Sequence, residues 1–265
     1  MQVSPDTQST CSAPEESVHW TDEFFRGAWI DLHLGYREHC DSERESDAII
    51  DFLGLPVGST IIDIPCGPGD HSIELARRGF VVTGVDLSER IIEHAKSRAA
   101  RVVPAPNNPP NFVVGDMRSL RLGIEYDALL CMWGSFGYFD SPGDIEQLRT
   151  FHRLLKPGGL ALIDLVPLEG LLQHFGERNT TVVGSLVVSR NQTYSMDLQS
   201  IHSHWTFRKD DESFEYGTTM RFYTVREFTT LLESVGFGEL RLFLPETRMD
   251  FSFGDARAWA LARRL

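Results

Sequence analysis

At 265 residues, 42% of them hydrophobic, the chain can bury one full α/β core with an elaboration. Its formal charge of −13 argues against nucleic acid as a main partner, because a phosphate backbone needs clustered Lys and Arg. Four cysteines without a Cys-x-x-Cys pair, a polar start and no run of 18 apolar residues set aside a disulfide scaffold, a zinc site, a secretory leader and a membrane span, so a reducing cytoplasm is expected.

Residues 1–16 are Ser, Thr, Gln, Pro and Glu with little to bury, and predict a disordered tail. Residues 1–50 hold eleven Asp and Glu against three Arg, which suits a solvated surface or an entrance favouring a cationic or amine substrate. Trp20, Phe24, Trp29 (or Phe25), Leu32 and Tyr36 recur at near-helical spacing, and a second helix over 43–54 ends at Gly54-Leu55-Pro56; together they predict a helical cap over 17–55.

From residue 56 to 166 the pattern alternates. Strands are predicted at 60–64, 80–86, 111–116, 126–133 and 160–166, with helices at 70–78, 87–100 and 142–155 and a Lys-Pro-Gly-Gly turn at 156–159. That order predicts a doubly wound parallel sheet with helices on both faces. Residues 167–223 break the rhythm: three or four antiparallel strands form an insertion after the fifth strand. Residues 224–265 return to a helix over 224–237, capped by Thr224, and strands near 239–244 and 256–263.

The stretch "IIDIPCGPGDHS", 61–72, runs a strand into a Gly-x-Gly turn. A dinucleotide fingerprint wants a third glycine where this chain has Ser72, which weakens a nicotinamide or flavin assignment without removing it; no P-loop is present. Asp86, ending the second strand, can accept both hydroxyls of a ribose or cap the following helix. Asp116 can accept from an exocyclic adenine amine while Met117 packs on the ring, although a surface turn has the same letters.

In order and spacing, Asp63-x-x-Cys66-Gly67-Pro68-Gly69, Asp86, Asp116-Met117 and Lys156-Pro157-Gly158-Gly159 resemble the class I S-adenosylmethionine-dependent methyltransferases, over roughly residues 18–264. The resemblance implies a Rossmann-like seven-stranded sheet and S-adenosyl-L-methionine as cofactor, with Tyr36, Asp63, Pro65, Cys66, Gly67, Gly69, Asp86, Leu87, Asp116, Met117 and Met132 at its site. Pro65 stands where Gly or Ala is commoner. "CMWGSFGYF", 131–139, and the run "MRFYTVREFTTLLESVGF" look like a bacterial small-molecule subgroup that includes aminosugar N,N-dimethyltransferases.

That likeness implies a small-molecule acceptor, most simply an amine, lying against Trp133, Phe136, Phe139 and Arg221, with Tyr138 or His71 taking its proton. The aromatics are equally readable as core and His71 as a structural histidine. Oxygen or carbon acceptors and a non-catalytic binding subunit stay open, as does a monomer or homodimer. No metal is expected: His202-x-His204 lacks a third ligand.

Overall fold

The computed structural model describes residues 19–27, 29–30, 42–102, 109–196 and 198–265. Among these, no helix is long and apolar enough to cross a membrane. The expected alternation is present. The parallel strands are β1 (Thr60–Asp63), β2 (Val81–Asp86), β3 (Asn111–Val114), β4 (Tyr126–Cys131) and β5 (Leu155–Leu165). They are joined by α3 (Asp70–Arg77), α4 (Glu89–Val102) and α5 (Ser141–Leu154), after the N-terminal α1 (Trp20–Phe24) and α2 (Ser42–Leu53). With β10 (Phe237–Phe243) and β11 (Ala258–Arg264) they make a seven-stranded sheet ordered β10-β11-β5-β4-β1-β2-β3, in which β11 runs antiparallel to both neighbours. This is the expected doubly wound α/β fold.

Both faces of the sheet are covered, which is why its strands read as apolar runs rather than alternations. On one face Ile49, Phe52 and Leu53 of α2 meet Ile61, Leu130 and Trp259. On the other, Phe151 and Leu154 of α5 and Phe228 and Leu232 of α7 (Val225–Ser234) meet Ile62, Leu129 and Ile163. Thr224 caps α7 in a reciprocal box: its hydroxyl accepts from the Glu227 amide, while the Glu227 carboxylate accepts from the Thr224 amide at 2.9 Å.

After β5 come α6 (Leu168–His174) and a four-stranded antiparallel sheet of β6 (Arg178–Val183), β7 (Leu186–Ser195), β8 (Ser200–Lys209) and β9 (Glu212–Arg221). The N-terminal aromatic stretch differs from its expectation. Its first helix stops at Phe24 and turns through Phe25–Gly27, and residues 29–30 are helical again; Leu32 and Tyr36 lie outside the described residues. Tertiary packing overrides the periodicity: Phe24 meets Trp205, Phe207 and Tyr216 of the antiparallel sheet at 5.3–6.1 Å between ring centroids. A Cβ on Gly27 would sit 2.3 Å from the Tyr216 hydroxyl.

The Lys-Pro-Gly-Gly segment also differs. It is a bulge inside β5: Tyr126 pairs with Leu155, then Ala128 with Leu160, so four residues bow out opposite Asp127. Lys156 Nζ donates to Asp127 Oδ1 at 2.7 Å, and the other Asp127 oxygen accepts from Thr60. These contacts tie β1, β4 and β5 at their amino ends, the edge opposite the Gly-rich turn, so this segment is a structural tie and no cofactor anchor.

The insertion is fixed to the core where Arg221 N donates to Gly137 O at 2.7 Å. Gly137 has φ 92°, and a Cβ there would lie 2.1 Å from the Arg221 carbonyl oxygen. Gly137→Ala therefore meets both left-handed backbone strain and a clash with main chain. It should cost about 3 kcal/mol or more, read as a lowered urea midpoint; an unchanged midpoint would remove this junction as a constraint.

Candidate active site

The carboxyl ends of β1, β2, β3 and β4 surround a cavity of about 870 Å³, its open mouth included. Its floor is the Gly-rich turn. Gly67 and Gly69 both take left-handed φ, 53° and 82°, and Gly69 N-caps α3 without a side chain. A Cβ on Gly69 would approach Phe112 to 2.7 Å. Gly69 shapes the turn from behind, while Pro65, Cys66, Gly67 and Pro68 face the cavity.

Ser72 explains how the turn works without a third glycine. Its hydroxyl donates to Asp63 Oδ2 at 2.7 Å, pinning α3 to the end of β1. The close approach of helix to sheet is supplied from the strand side: a Cβ on Gly84 of β2 would lie 3.0 Å from Ser72 Oγ and 2.7 Å from Phe112. Asp63, expected against the cofactor, lies behind the turn, buried on Ser72, and is no part of the wall.

Asp86 does face the cavity. Oδ2 accepts from Gly67 N at 3.0 Å and Oδ1 from Ser88 N at 2.9 Å, so one carboxylate both shapes the Gly turn and caps the approach to α4. Burial pushes its pKa up to about 6, with the Ser88 and Gly67 amides opposing. Asp116, also lining, accepts from Arg118 through Nε and through Nη2 at 2.6 Å, and from the Arg118 amide at 2.8 Å. Burial raises the Asp116 carboxyl, but the Arg118 bonds outweigh it and hold the group below its ordinary value. The Arg118 guanidinium in turn stacks 4.3 Å from the Phe139 ring centre. Leu87, Met117 and Met132 complete an apolar wall with Ile64, Val85 and Ile91. The Cys66 thiol is buried and pushed well up in pKa, so it packs rather than reacts.

The acceptor-side expectations divide. Trp133, Tyr138, Phe139 and His71 line the cavity; Phe136 and Arg221 do not. Phe136 points into the core, 5.5 Å from Tyr223 and 5.2 Å from Phe228 between ring centres. Arg221 lies beneath, over the Tyr223 ring at 5.4 Å, in the junction that carries the insertion. Tyr36 lies outside the described residues.

Tyr138 packs against Trp20 and Phe25 and donates to Ser135 Oγ at 3.4 Å. Burial drives its pKa upward, which keeps it a neutral phenol: a hydrogen-bonding group, not a base that carries a proton away. Sequence patterning does not reveal the network beside it. His71 Nε2 sits 2.8 Å from Glu45 Oε2, and the same oxygen accepts from Trp133 Nε1 at 3.1 Å. The Trp133 amide donates to Asp164 Oδ2 at 2.9 Å, and Asp164 is ion-paired with Arg257. Trp133 is thereby fixed at φ 61°, a conformation rare for a bulky residue. Glu45 lies in the first turn of α2, where an acid is ordinary, so nothing in the sequence singles it out; only its burial in the fold does. Thr21, Phe25 and Trp29 close the cavity from the N-terminal side.

The donor set fits S-adenosylmethionine: a carboxylate at the end of β2, a Gly turn held open by it, a second acid at the end of β3, and apolar walls without a phosphate-binding cluster. Residues 61–159 match the family model described as a methyltransferase domain. A dTDP-4-amino-2,3,4,6-tetradeoxy-D-glucose N,N-dimethyltransferase of Saccharopolyspora spinosa is 27% identical over 192 residues, 69% of this chain and 72% of that protein. A 2-phytyl-1,4-naphtoquinone methyltransferase of Nostoc (strain PCC 7120) is 36% identical over 43% of this chain and 49% of its own length. Among solved structures, an S-adenosylmethionine-dependent methyltransferase from Clostridium acetobutylicum superposes with a TM-score of 0.74 at 18% identity, covering 89% of this chain and 99% of that one. The chain thus carries a methyltransferase domain and has the fold of the S-adenosylmethionine-dependent methyltransferases. Its cofactor is S-adenosylmethionine.

Asp86 makes the hydrogen-bonding capacity of the cavity wall depend on pH. Its folded value lies above the ordinary Asp value, so below about pH 6 it is protonated and accepts hydroxyl donors less well. S-adenosylhomocysteine binding by calorimetry should weaken as pH falls from 7 to 5. Asp86→Asn should bind about tenfold or more weakly at pH 7 and lose that pH dependence. An Asn variant with wild-type affinity would displace Asp86 from the cofactor site.

Proposed function

We propose that the enzyme methylates an amine nitrogen of a small-molecule acceptor. The observation that carries this is the His71 imidazole in the wall of the methyl-donor cavity, with the buried Glu45 carboxylate behind it at 2.8 Å. A protonated amine has no lone pair with which to attack carbon, so nitrogen methylation profits from a positioned proton acceptor. With Nε2–H donated to the Glu45 carboxylate, His71 keeps the lone pair on Nδ1. The carboxylate fixes that tautomer and steadies the imidazolium formed when a proton arrives.

When bound, S-adenosylmethionine supplies a methyl group on a sulfonium, which is already a good leaving group. The protein's share is therefore mostly positioning. We assign Asp86 and Gly67 to the ribose, Asp116 and Met117 to the adenine, and Met132 and Trp133 to the border between donor and acceptor. Tyr138, as a neutral phenol, orients the acceptor; Phe139 and the N-terminal rings exclude water. The N,N-dimethyltransferase relative supports a nitrogen acceptor, and the quinone methyltransferase relative is the reason to test carbon.

Incubation with methyl-labelled donor and a panel of primary amines, phenols and quinols, followed by mass spectrometry of the products, should place the label on nitrogen. Label on oxygen or carbon alone would overturn the amine assignment. Glu45→Gln should lower kcat about ten- to hundredfold while S-adenosylhomocysteine affinity stays within about twofold. An equal loss in both would make Glu45 a structural residue.

A further inference from the structure

A second cavity, of about 970 Å³, opens on the inner face of the antiparallel sheet, and Trp133 belongs to the walls of both. In a chain with 38 acids and 25 Lys and Arg, the charged and titratable lining of this cavity among the described residues is Arg178, Arg190 and His174, without a single Asp or Glu. Strand geometry makes it so. Arg190 pairs with Trp205 and Gln192 with Ser203 across β7 and β8, and Ser203 pairs with Thr218 of β9, so these side chains share one face.

Arg190 is the central residue of that face. Its guanidinium lies 4.9 Å from the Trp205 ring centre, and among the described residues it forms no ion pair and no side-chain hydrogen bond. Burial alone pulls its pKa down from the ordinary arginine value, with no carboxylate to oppose. Its neighbours are already placed: Gln192 donates to Ser203 Oγ at 3.1 Å, and Trp205 Nε1 donates to Thr218 Oγ1 at 2.9 Å. A half-buried cation with a rigid donor fork and no partner costs free energy in the empty protein, and an oxyanion meeting that fork would repay it.

We propose that Arg190 binds an oxyanion, carboxylate or phosphate, of the methyl acceptor, so that the acceptor spans both cavities across Trp133 with its nucleophile at the methyl donor. This rests on the methyltransferase reading above but not on which atom is methylated. The acidic N-terminal surface does not contradict it: the acceptor then carries an amine at one end and an anion at the other.

The test uses the full chain loaded with S-adenosylhomocysteine. Inorganic phosphate and acetate are titrated while tryptophan fluorescence is followed, Trp205 being the reporter under the guanidinium. Wild type should saturate with at least one anion, Arg190→Met should bind it about tenfold or more weakly, and Arg190→Lys should fall between, since it keeps the charge but not the fork. All three should bind S-adenosylhomocysteine alike, which shows that the fold is intact. Matched primary amines bearing a carboxylate, a phosphate or neither are then offered as acceptors. Wild type should prefer one oxyanion-bearing set about tenfold or more, the favoured set naming the anion, and Arg190→Met should lose the preference. Absence of saturable anion binding, or neutral amines methylated as fast as charged ones, would overturn the inference. Anion binding with no amine methylated would instead sink the amine reading and leave the oxyanion site standing.

Discussion

A buried carboxylate needs donors, and on a single oxygen of Glu45 the side chains of His71 and Trp133 converge. Through that atom three distant parts of the chain meet: α2 before the sheet, the first turn of α3 and the loop after β4. Removing any one disturbs the other two in a dry place. The same atom orients the His71 imidazole and holds Trp133, which belongs to the walls of both cavities. Local stability and catalytic geometry are thus carried by one interaction.

Trp133 shows how tightly that wall is held. Its amide and indole N–H donate to two different carboxylates, Asp164 and Glu45, from opposite ends of the residue. Asp164 is fully buried, and burial raises its pKa with Arg257 opposing. A tryptophan at positive φ is strained, so the surrounding bonds must over-determine it. An indole so fixed cannot swing aside to enlarge either space, and the size and direction of an acceptor are limited by it.

Most of the core was legible because its physics is local. Apolar runs of strand length, Gly-Pro-Gly and Thr-x-x-Glu punctuation, and the switch to alternation after Pro167 each have one cheap solution in backbone geometry. The site was legible where a motif constrains main chain, as at Gly67 and Asp86. It was not where orientation depends on tertiary partners. Phe136 and Phe139 lie three apart in one aromatic loop and both pack in the core, yet only Phe139 also reaches the cavity, under the Arg118 guanidinium. Ser72 looked like a defect in a glycine pattern; the missing space was made by Gly84 across the interface. Glu45 and Arg190 belong to no motif, and their significance comes from what surrounds them once the chain is folded.

The N-terminal aromatic turn sits with Phe25 and Trp29 on the methyl-donor cavity and Phe24 on Trp205, a wall of the other, with Gly27 pressed to the Tyr216 hydroxyl. One short turn therefore helps to close two cavities at once, and any substitution that loosens its stacked rings should alter the shape of both, since what holds it is their apolar area.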